Sequence, residues 1–378
     1  MRLFLFFSLF AHLILTTATA APSLIPAPPR VNAKSYLLID HNSGYVLAEK
    51  NADKRIEPAS LTKLMTAYVV LFEISRGGIS LEDEVKISEK AWRMGGSRMF
   101  VEVNKFVSVK KLLKGLIIQS GNDATVALAE HIAVSEQAFV ELMNQHASRL
   151  EMSSTNFNNS TGWPDKKHYT TARDLAKLSR AIINDFPEHY SAYKEKEYTY
   201  NNIRQYNRNR LLWLDERVDG LKTGHTEAAG YCLISSAKQK GMRLISIVTG
   251  AAKDDARISS SRKLLNYGFR FFETKLVHKA NSKITEMRVW KGEKQQLSLG
   301  ITENLFITTP KSLSKKIKNN IKVEAMIQAP VIKHQSYGEV NIMLGDKQIA
   351  TRDLVALSAV AEGGIWQKLM DSIQLMFQ

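Results

Sequence analysis

Three short motifs in one order limit the folds that this chain can adopt. They are Ser60–Lys63 (SLTK), Ser120–Asn122 (SGN) and Lys222–Gly224 (KTG). Together they supply a hydroxyl nucleophile, a lysine that can take its proton, and polar groups that can hold an acyl group. Each motif is short enough to occur by chance, so only a fold that brings all three to one cleft gives them a common chemistry. The order therefore predicts one catalytic centre built from distant parts of the sequence.

The surroundings of Ser60–Lys63 distinguish it, because the same serine–lysine spacing occurs five more times in the chain. Pro58 precedes Ser60, and a mostly apolar run continues to Glu73, which predicts a buried helix that begins near the serine. Residues three apart share a helix face, so Lys63 is expected beside Ser60 Oγ. Burial would lower the pKa of this amine and make it a usable base. The motif alone leaves open an ordinary helix-capping serine followed by a surface lysine.

The other two motifs also have a functional and a purely structural interpretation. Ser120–Asn122 lies between two helical runs, where Ser120 could relay a proton to or from a leaving amine and Asn122 could bind a substrate amide. It could equally serve only to cap the second helix. The KTG motif precedes an apolar segment, and Gly224 permits close backbone approach to a ligand. Alone, KTG is also compatible with a plain turn.

Hydrophobic periodicity predicts an α+β domain with helices packed on an antiparallel sheet. A hairpin is expected first, from 33–40 and 44–49, around the turn at Asn42–Gly44. Helices are expected at 58–73, 109–119, 123–133, 136–150, 172–184 and 259–272, and late strands at 230–236 and 243–250. Short β-prone segments follow at 284–291, 296–300, 304–310, 321–329 and 339–344, which indicates a small all-β domain.

The last segment, from Gly364 to Gln378, repeats apolar residues at helical spacing, among them Trp366, Ile373 and Phe377. This pattern predicts an amphipathic helix that lies on a membrane surface but is too short to cross one. A terminal helix docked on the β-rich domain is the alternative.

The first twenty residues predict a cleaved signal peptide, because Arg2 precedes an apolar stretch that ends in Ala18–Ala20. Removing Arg2 leaves 51 basic and 37 acidic residues, a formal charge of +14 against +15 for the full chain. Export and the absence of a zinc-finger or RNP pattern argue against nucleic acid as a partner. The single cysteine, Cys232, rules out an intramolecular disulfide and lies in an apolar strand, where a buried inert thiol is expected.

The residues around the three motifs resemble the D-alanyl-D-alanine carboxypeptidases, the low-molecular-mass penicillin-binding proteins of the bacterial envelope. The resemblance rests on Pro58–Thr66, Gln119–Ala124 and Val218–Thr226, with further likeness near Asn207–Trp213 and Leu264–Glu273. It implies a penicillin-binding or serine β-lactamase-like domain, then a small all-β domain and a C-terminal amphipathic helix. The resulting boundaries are a signal peptide at 1–20, an extended leader at 21–32, the acyl-transferase domain at 33–275, the β-rich domain at 276–361 and a membrane-anchor helix at 362–378.

The resemblance also implies an activity and roles for site residues. The expected reaction removes the terminal D-alanine from peptidoglycan stem pentapeptides through an acyl-enzyme on Ser60, with β-lactam antibiotics as covalent inhibitors. The catalytic residues would be Ser60, Lys63 and Ser120, and the substrate-binding residues Asn122, Lys222, Thr223, Gly224, His225 and Arg257. The backbone N–H groups of Ser60 and His225 would form the oxyanion hole. The protein would act at the periplasmic face of the inner membrane, held there peripherally.

Other activities share this chemistry. A D,D-endopeptidase or a transpeptidase of the same superfamily also forms an acyl-enzyme. The endopeptidase releases a different amine, and the transpeptidase transfers the acyl group to a different acceptor. A serine β-lactamase is less favoured because the chain has no Glu-x-x-Leu-Asn string and KTG continues with His225 and Thr226. A non-catalytic peptidoglycan-binding scaffold would be expected to carry an impaired motif. No cofactor is expected, and the nine histidines form no HExxH pair, so a zinc peptidase is not indicated.

Overall fold

The structure is a computed structural model that describes residues 25–377. The predicted signal peptide and the first four leader residues, 21–24, lie outside the described residues. The helices in this part of the chain are α1 (Lys63–Ser75), α2 (Glu89–Trp92), α3 (Val109–Lys114), α4 (Asn122–Ala133), α5 (Glu136–Arg149), α6 (Ala172–Asp185), α7 (Leu211–Leu214), α8 (Asp254–Phe271) and α9 (Ile365–Leu375). Single 3₁₀ turns occur at Ala59–Thr62, Tyr190–Lys194 and Lys311–Lys316, and a π-helical turn at Gly115–Gln119.

The strands of residues 25–377 fall into a large N-terminal unit and a β-rich C-terminal unit. The first unit holds β1 (Ser35–Asp40), β2 (Val46–Lys50), β3 (Glu84–Lys86), β4 (Phe106–Ser108), β5 (Glu197–Tyr200), β6 (Ile203–Tyr206), β7 (Val218–Thr226), β8 (Gly230–Gln239) and β9 (Met242–Ala251). The second holds β10 (Phe272–His278), β11 (Thr285–Trp290), β12 (Gln296–Gly300), β13 (Leu305–Pro310), β14 (Ile317–Val323), β15 (Ile327–Gln328), β16 (Ser336–Leu344) and β17 (Lys347–Ala356).

The main sheet of the first unit separates two hydrophobic cores. Its order is β2-β1-β9-β8-β7, and every neighbouring pair is antiparallel. Because side chains alternate along a strand, Leu37 and Ile39 enter a core shared with α1, α4, α5 and α6. Tyr36 and Leu38 enter the core on the opposite face, shared with α8. The sheet is thus covered by helices on both faces, and β7 forms one of its edges.

Helix α1 lies inside the first unit because most of its sides are apolar. Ten of its thirteen residues are buried, including Lys63 at its first position. A lysine that is fully buried loses the hydration of its ammonium group, and this cost is tolerated mainly where the amine has a function or a partner. The 3₁₀ turn Ala59–Thr62 directly precedes α1 and carries Ser60. The sequence therefore places the nucleophile at the entrance to the most buried helix.

The second unit has its own core and is joined to the first by hydrogen bonds between threonines, a serine and an aspartate. Its six-stranded sheet has the order β14-β16-β17-β12-β11-β15, and β10 pairs with β13. At the junction, Thr274 Oγ1 donates to buried Asp40 Oδ2 at 2.7 Å. The Ser43 and Thr308 hydroxyl oxygens lie 2.6 Å apart. These contacts link the end of β1 and its turn to β10 and β13.

Helix α9 combines a docked side with an exposed apolar side. Asp371 is buried and accepts hydrogen bonds from Arg288 Nη2 at 3.2 Å and from the Lys291 backbone N–H at 2.6 Å. In contrast, Trp366 is 79% exposed and Phe377, just after the helix, 87% exposed. The helix is therefore held on the β-rich unit by polar contacts of Asp371, while its large apolar residues face outward. Within residues 25–377, every helix falls short of the length and apolarity that a bilayer crossing requires.

The structure confirms the predicted hairpin, the long helices and the late strands, and most of their ends agree within two residues. The largest differences are at the start of α1, which begins at Lys63 after the 3₁₀ turn, and at the start of α8, which begins at Asp254. The interpretation of KTG as a turn is wrong, since Lys222–Gly224 lies inside β7. The segment expected as one strand at 321–329 is divided between β14 and β15. Strands β10 and β17 were not expected at all. Polar residues or glycines in β7 and β17 interrupt the alternation of apolar and polar residues that predicts a strand. Pairing with neighbouring strands determines the extended conformation of these two segments.

Candidate active site

Ser60 and Lys63 are brought together by the 3₁₀ turn that precedes α1. In such a turn, residues three apart lie one above the other, because the helix has three residues per turn. Lys63 Nζ lies 3.1 Å from Ser60 Oγ and donates to the Thr161 carbonyl oxygen at 2.7 Å. Ser60 is partly exposed and lines an open cleft, whereas Lys63 is fully buried behind it. A nucleophile that faces a cleft therefore has an amine at hydrogen-bond distance.

The environment of Lys63 lowers the basicity of its amine. Burial removes the hydration that stabilises an ammonium and lowers the pKa of Lys63 to about 7, although the negative charge of Asp123 acts in the opposite direction. A substantial share of the amine is therefore unprotonated near neutral pH. A base whose pKa lies near the working pH is the most effective for proton transfer.

The loop at 159–164 holds the turn that carries Ser60. Asn159 Oδ1 accepts hydrogen bonds from the backbone N–H groups of Gly162 at 2.7 Å and Trp163 at 3.0 Å. Gly162 has a φ of +86° and packs so closely on the turn that an added Cβ would lie 1.8 Å from the Ala59 carbonyl oxygen. Ala59 itself has a φ of +47°, a strained conformation for alanine. The loop thus fixes the backbone directly before the nucleophile.

Replacing Gly162 by alanine is expected to reduce acylation of Ser60 strongly. The new Cβ cannot fit against the Ala59 carbonyl, so either the loop or the turn must move, and Lys63 loses its fixed contact to Thr161. A misplacement of about 1 Å can cost roughly 10²-fold in rate. The second-order rate constant for acylation by a labelled penicillin measures the effect. Gly241→Ala is the matched control, since this glycine also has a positive φ but no atom near its Cβ position; equal rates in the two variants would contradict the expectation.

The Ser120–Asn122 motif occupies a sharp change of direction between the π-helical turn and α4. Ser120 adopts the left-handed conformation, with a φ of +67°, and its hydroxyl is buried without a hydrogen-bond partner among the described residues. Asn122 Nδ2 donates to the Gly95 carbonyl at 2.7 Å, and the residue lines the same cleft as Ser60. The neighbouring residue, Asp123, accepts hydrogen bonds from the backbone N–H groups of residues 99–101. These bonds hold this wall of the cleft in place.

The KTG motif runs along the edge strand β7 beside the Ser60 turn. An added Cβ on Gly224 would lie 3.1 Å from the Pro58 carbonyl oxygen, so glycine allows the strand to approach the turn closely. Lys222 is buried, and burial together with the charge of Lys63 lowers its pKa well below the usual value. His225 lines the cleft, and the centroid of its ring lies 4.0 Å from that of the Tyr231 ring.

Arg257 is less directly connected to the cleft than the other predicted site residues. It lies on α8, and its Nη1 donates to the Gly224 carbonyl at 3.1 Å and the Cys232 carbonyl at 3.0 Å. It also forms an ion pair with Asp254. These contacts place its guanidinium against the strand that carries KTG. Its Nε is buried and has no hydrogen-bond partner among the residues described.

Three of the predicted site residues, Ser60, Asn122 and His225, line one cleft of about 520 Å³ together with Thr161–Pro164. The other predicted site residues lie behind its walls and do not line it: Lys63, Ser120, Lys222, Thr223, Gly224 and Arg257. No sequence motif singled out the Thr161–Pro164 loop. Its turn-forming residues, Asn159 and Gly162, indicate only a loop, and nothing in them shows that it would pack on a turn a hundred residues away. Within residues 25–377, no three His, Cys, Asp or Glu side chains gather closely enough to hold a metal ion.

Comparison with known proteins agrees with this arrangement. The sequence profile described as D-alanyl-D-alanine carboxypeptidase matches residues 22–253. The chain belongs to this family. A second profile, the C-terminal domain of penicillin-binding protein 5, matches residues 272–362. The D-alanyl-D-alanine carboxypeptidase DacC of Escherichia coli is 43% identical over 378 residues, which cover 98% of this chain and 94% of the relative.

Solved structures of relatives share the fold. Penicillin-binding protein 5 from Haemophilus influenzae has a TM-score of 0.85 and 43% identity, and the match covers 89% of this chain and 100% of that one. Penicillin-binding protein D2 from Listeria monocytogenes, solved in an ampicillin-bound form, has a TM-score of 0.60 and 30% identity and covers 65% of this chain and 100% of that one. The predicted penicillin-binding domain followed by an all-β domain is thereby confirmed, as is the family resemblance.

Proposed function

We propose that this D-alanyl-D-alanine carboxypeptidase removes the terminal D-alanine of peptidoglycan stem pentapeptides through an ester on Ser60. The observation that carries the proposal is the 3.1 Å contact between Lys63 Nζ and Ser60 Oγ at the wall of an open cleft. The low pKa of Lys63, about 7, supports its role as the base. The family and the names of its relatives supply the reaction class.

In the proposed first step, neutral Lys63 takes the Ser60 proton while Oγ bonds to the carbonyl carbon between the two terminal D-alanines. The backbone N–H groups of Ser60 and His225 stabilise the resulting oxyanion, an interaction whose loss typically costs about 2.7–4 kcal/mol. The C–N bond then breaks, and the proton passes from Lys63 through Ser120 to the leaving amine. The hydroxyl of Ser120 is buried and has no hydrogen-bond partner within residues 25–377, which supports this relay role.

In the second step, water attacks the ester carbonyl and restores the Ser60 hydroxyl. Lys63 again serves as the base, because its amine is neutral once its proton has left with D-alanine. We assign binding of the substrate backbone amide to Asn122 and binding of the terminal carboxylate to Lys222, Thr223 and Arg257. The close approach of Gly224 to the Ser60 turn supports a substrate strand that runs along β7.

Mass spectrometry after treatment with penicillin, followed by product analysis with a pentapeptide, tests the function. We expect a stable covalent adduct on the peptide that contains Ser60, and stoichiometric release of D-alanine. Rapid release of hydrolysed penicillin would indicate a β-lactamase instead. Cleavage of cross-linked muropeptides at a higher rate than pentapeptides would indicate an endopeptidase. No adduct and no D-alanine would refute the enzymatic proposal and favour a binding scaffold.

For the cellular location we propose export by the signal peptide at 1–20 and peripheral attachment to the periplasmic face of the inner membrane through 362–378. The exposed apolar residues of α9 support attachment, since Ile365 is 85% and Trp366 79% exposed. We also propose that the acyl-transferase domain comprises 33–275 and the β-rich domain 276–361, in line with their separate cores.

Replacing Ile365, Trp366 and Phe377 by serine is expected to move the protein from the membrane to the soluble fraction. The substitutions remove three of the most exposed apolar side chains of this segment but leave the docking contacts of Asp371 intact. Co-sedimentation with vesicles of an anionic and a zwitterionic phospholipid measures binding. Ile332→Ser, at a residue 67% exposed elsewhere on the β-rich unit, is the control. Undiminished vesicle binding of the triple variant would contradict the anchor.

A further inference from the structure

A chain of hydrogen bonds runs from a buried histidine to the peptide bond that precedes the nucleophile. His168 Nε2 lies 2.8 Å from Thr62 Oγ1, and the Thr62 hydroxyl donates to the Ala59 carbonyl oxygen at 2.8 Å. Thr62 is fully buried and His168 is only 2% exposed. The histidine thus contacts the serine–lysine motif from inside the protein, although it takes no part in the proposed chemical steps.

The direction of each hydrogen bond in this chain follows from its donors. A backbone N–H can only donate, so His168 Nδ1 accepts from the Asn158 N–H at 3.1 Å. Burial lowers the pKa of His168 to about 4, so the ring is neutral at neutral pH and carries its one hydrogen on Nε2. The single hydrogen of the Thr62 hydroxyl points to the Ala59 carbonyl, which leaves Oγ1 as an acceptor. The ring therefore donates to the hydroxyl, and the hydroxyl donates to the carbonyl.

The chain ends on the peptide unit that carries one of the two proposed oxyanion donors. The Ala59 carbonyl and the Ser60 N–H belong to the same planar unit, and their peptide bond is trans, so the two groups point in opposite directions. A hydrogen bond that fixes the carbonyl therefore also fixes the direction of the N–H. It also polarises the peptide unit, which makes the N–H a stronger donor.

The backbone at Ala59 needs such a restraint because it is strained. Its φ of +47° lies in a region that alanine rarely adopts. Without a fixed partner for its carbonyl, the following peptide unit could relax by rotation, and the Ser60 N–H would turn with it. Gly162 packs on the same group, since its added Cβ would lie 1.8 Å from the Ala59 carbonyl oxygen and 2.8 Å from Thr62 Oγ1. Close packing and a directed hydrogen bond together hold this one carbonyl.

We propose that Thr62 and His168 are positioning residues that aim the Ser60 N–H at the oxyanion. The inference deepens the proposed function and rests on it. Both side chains act through the Ala59 carbonyl and not on the substrate itself. Their effect is largest in the tetrahedral states, because only there does the substrate oxygen carry a full negative charge. Lys63 has its own contact with the loop, to the Thr161 carbonyl, so the base is unaffected.

Thr62→Val tests the chain, because valine keeps the shape of threonine and lacks its hydroxyl. We expect kcat/KM for release of D-alanine from a pentapeptide to fall roughly 10- to 100-fold, and Thr62→Ser, which keeps the hydroxyl, to stay within about threefold of the wild type. A boronic acid analogue of acetyl-D-alanine, with boron in place of the carbonyl carbon, forms a tetrahedral anionic adduct on Ser60. Its affinity should fall in Thr62→Val by a factor similar to that of kcat/KM. An undiminished affinity overturns the proposal.

Thr66→Val is the matched control. Thr66 is also buried on α1, and its hydroxyl donates to the Ser160 carbonyl at 2.7 Å, so it joins the helix to the same loop without contacting the Ala59 peptide unit. Both valine variants should lose thermal stability to a similar extent, but only Thr62→Val should lose the boronic acid affinity. The pH at which the acylation rate inflects, near the Lys63 pKa of about 7, should be unchanged in Thr62→Val. Equal losses in the two valine variants, or a shifted inflection, would mean a displaced loop or an altered base and would overturn the proposal.

His168→Phe tests the outer member of the chain. The histidine ring packs edge-on against Phe157, and a phenyl ring can fill this space but cannot donate to Thr62. We expect kcat/KM to fall by about tenfold. The double variant Thr62→Val, His168→Phe should be no slower than Thr62→Val alone, because the histidine acts only through the hydroxyl. Losses that multiply in the double variant would remove His168 from the chain.

Penicillin labelling separates failure of this inference from failure of the proposed function. If the wild type forms the Ser60 adduct and releases D-alanine, and Thr62→Val does so at the same rate, only the positioning role is wrong. If the wild type does neither, the proposed function is wrong and the positioning role falls with it. Slow labelling of Thr62→Val that reaches the full wild-type yield would show that its nucleophile is intact, as the proposal requires.

Discussion

Ser60→Ala should form no covalent adduct with penicillin and should lose release of D-alanine by roughly 10⁴-fold or more. The reason is that the ester can form only on this hydroxyl, which has the Lys63 amine 3.1 Å away. Mass spectrometry of the intact protein detects the adduct, and an assay of free D-alanine measures the rate. The substitution removes one partly exposed oxygen, so the unfolding midpoint should stay close to that of the wild type.

A serine with the same spacing to a lysine provides the matched control for Ser60. Ser312 and Lys315 repeat the pattern on the surface of the β-rich unit, so Ser312→Ala should leave both the adduct and the rate unchanged. An adduct of equal yield in the Ser60 variant would mean that another nucleophile reacts. That result would end the assignment of Ser60, whatever the variant's residual activity.

Lys63→Arg should lower the rate of acylation by about 10²–10⁴-fold, because a guanidinium stays protonated and cannot take the Ser60 proton. The wild-type rate should also depend on pH in a defined direction. The pKa of Lys63 is about 7, and the neutral amine is the active form. The second-order rate constant should therefore be constant well above pH 7 and fall about tenfold for each pH unit below it.

Stopped-flow acylation by a chromogenic β-lactam between about pH 5 and pH 9 measures this profile. Lys111→Arg is the control, since Lys111 follows Ser108 at the same spacing but is exposed. A rate that rises as pH falls would contradict neutral Lys63 as the base. So would a rate that still rises about tenfold per pH unit at pH 9, as expected for a lysine with the usual pKa of about 10.4. Acylation of the Lys63→Arg variant at the wild-type rate would also contradict this role of Lys63.

The nucleophile and its base were predictable because both lie on one short segment. The spacing of Ser60 and Lys63, followed by a continuous apolar run, is enough to predict that they lie on one face at the start of a buried helix; in the structure Ser60 is on the 3₁₀ turn that leads into α1. Local sequence also gave the hairpin β1–β2 and the amphipathic helix α9, since each depends on residues close together in the chain. The expected reaction came from the family resemblance, which rests on the three motifs taken together.

The sequence alone determined which groups could react: a serine, a lysine beside it, a second serine and a glycine-containing KTG segment. Tertiary structure decided what surrounds them. The loop at 159–164 packs on the Ser60 turn and gives Lys63 the Thr161 carbonyl, and β7 becomes a strand only through pairing with β8. Such contacts depend on shape and packing between distant segments, which no local pattern of residue types encodes.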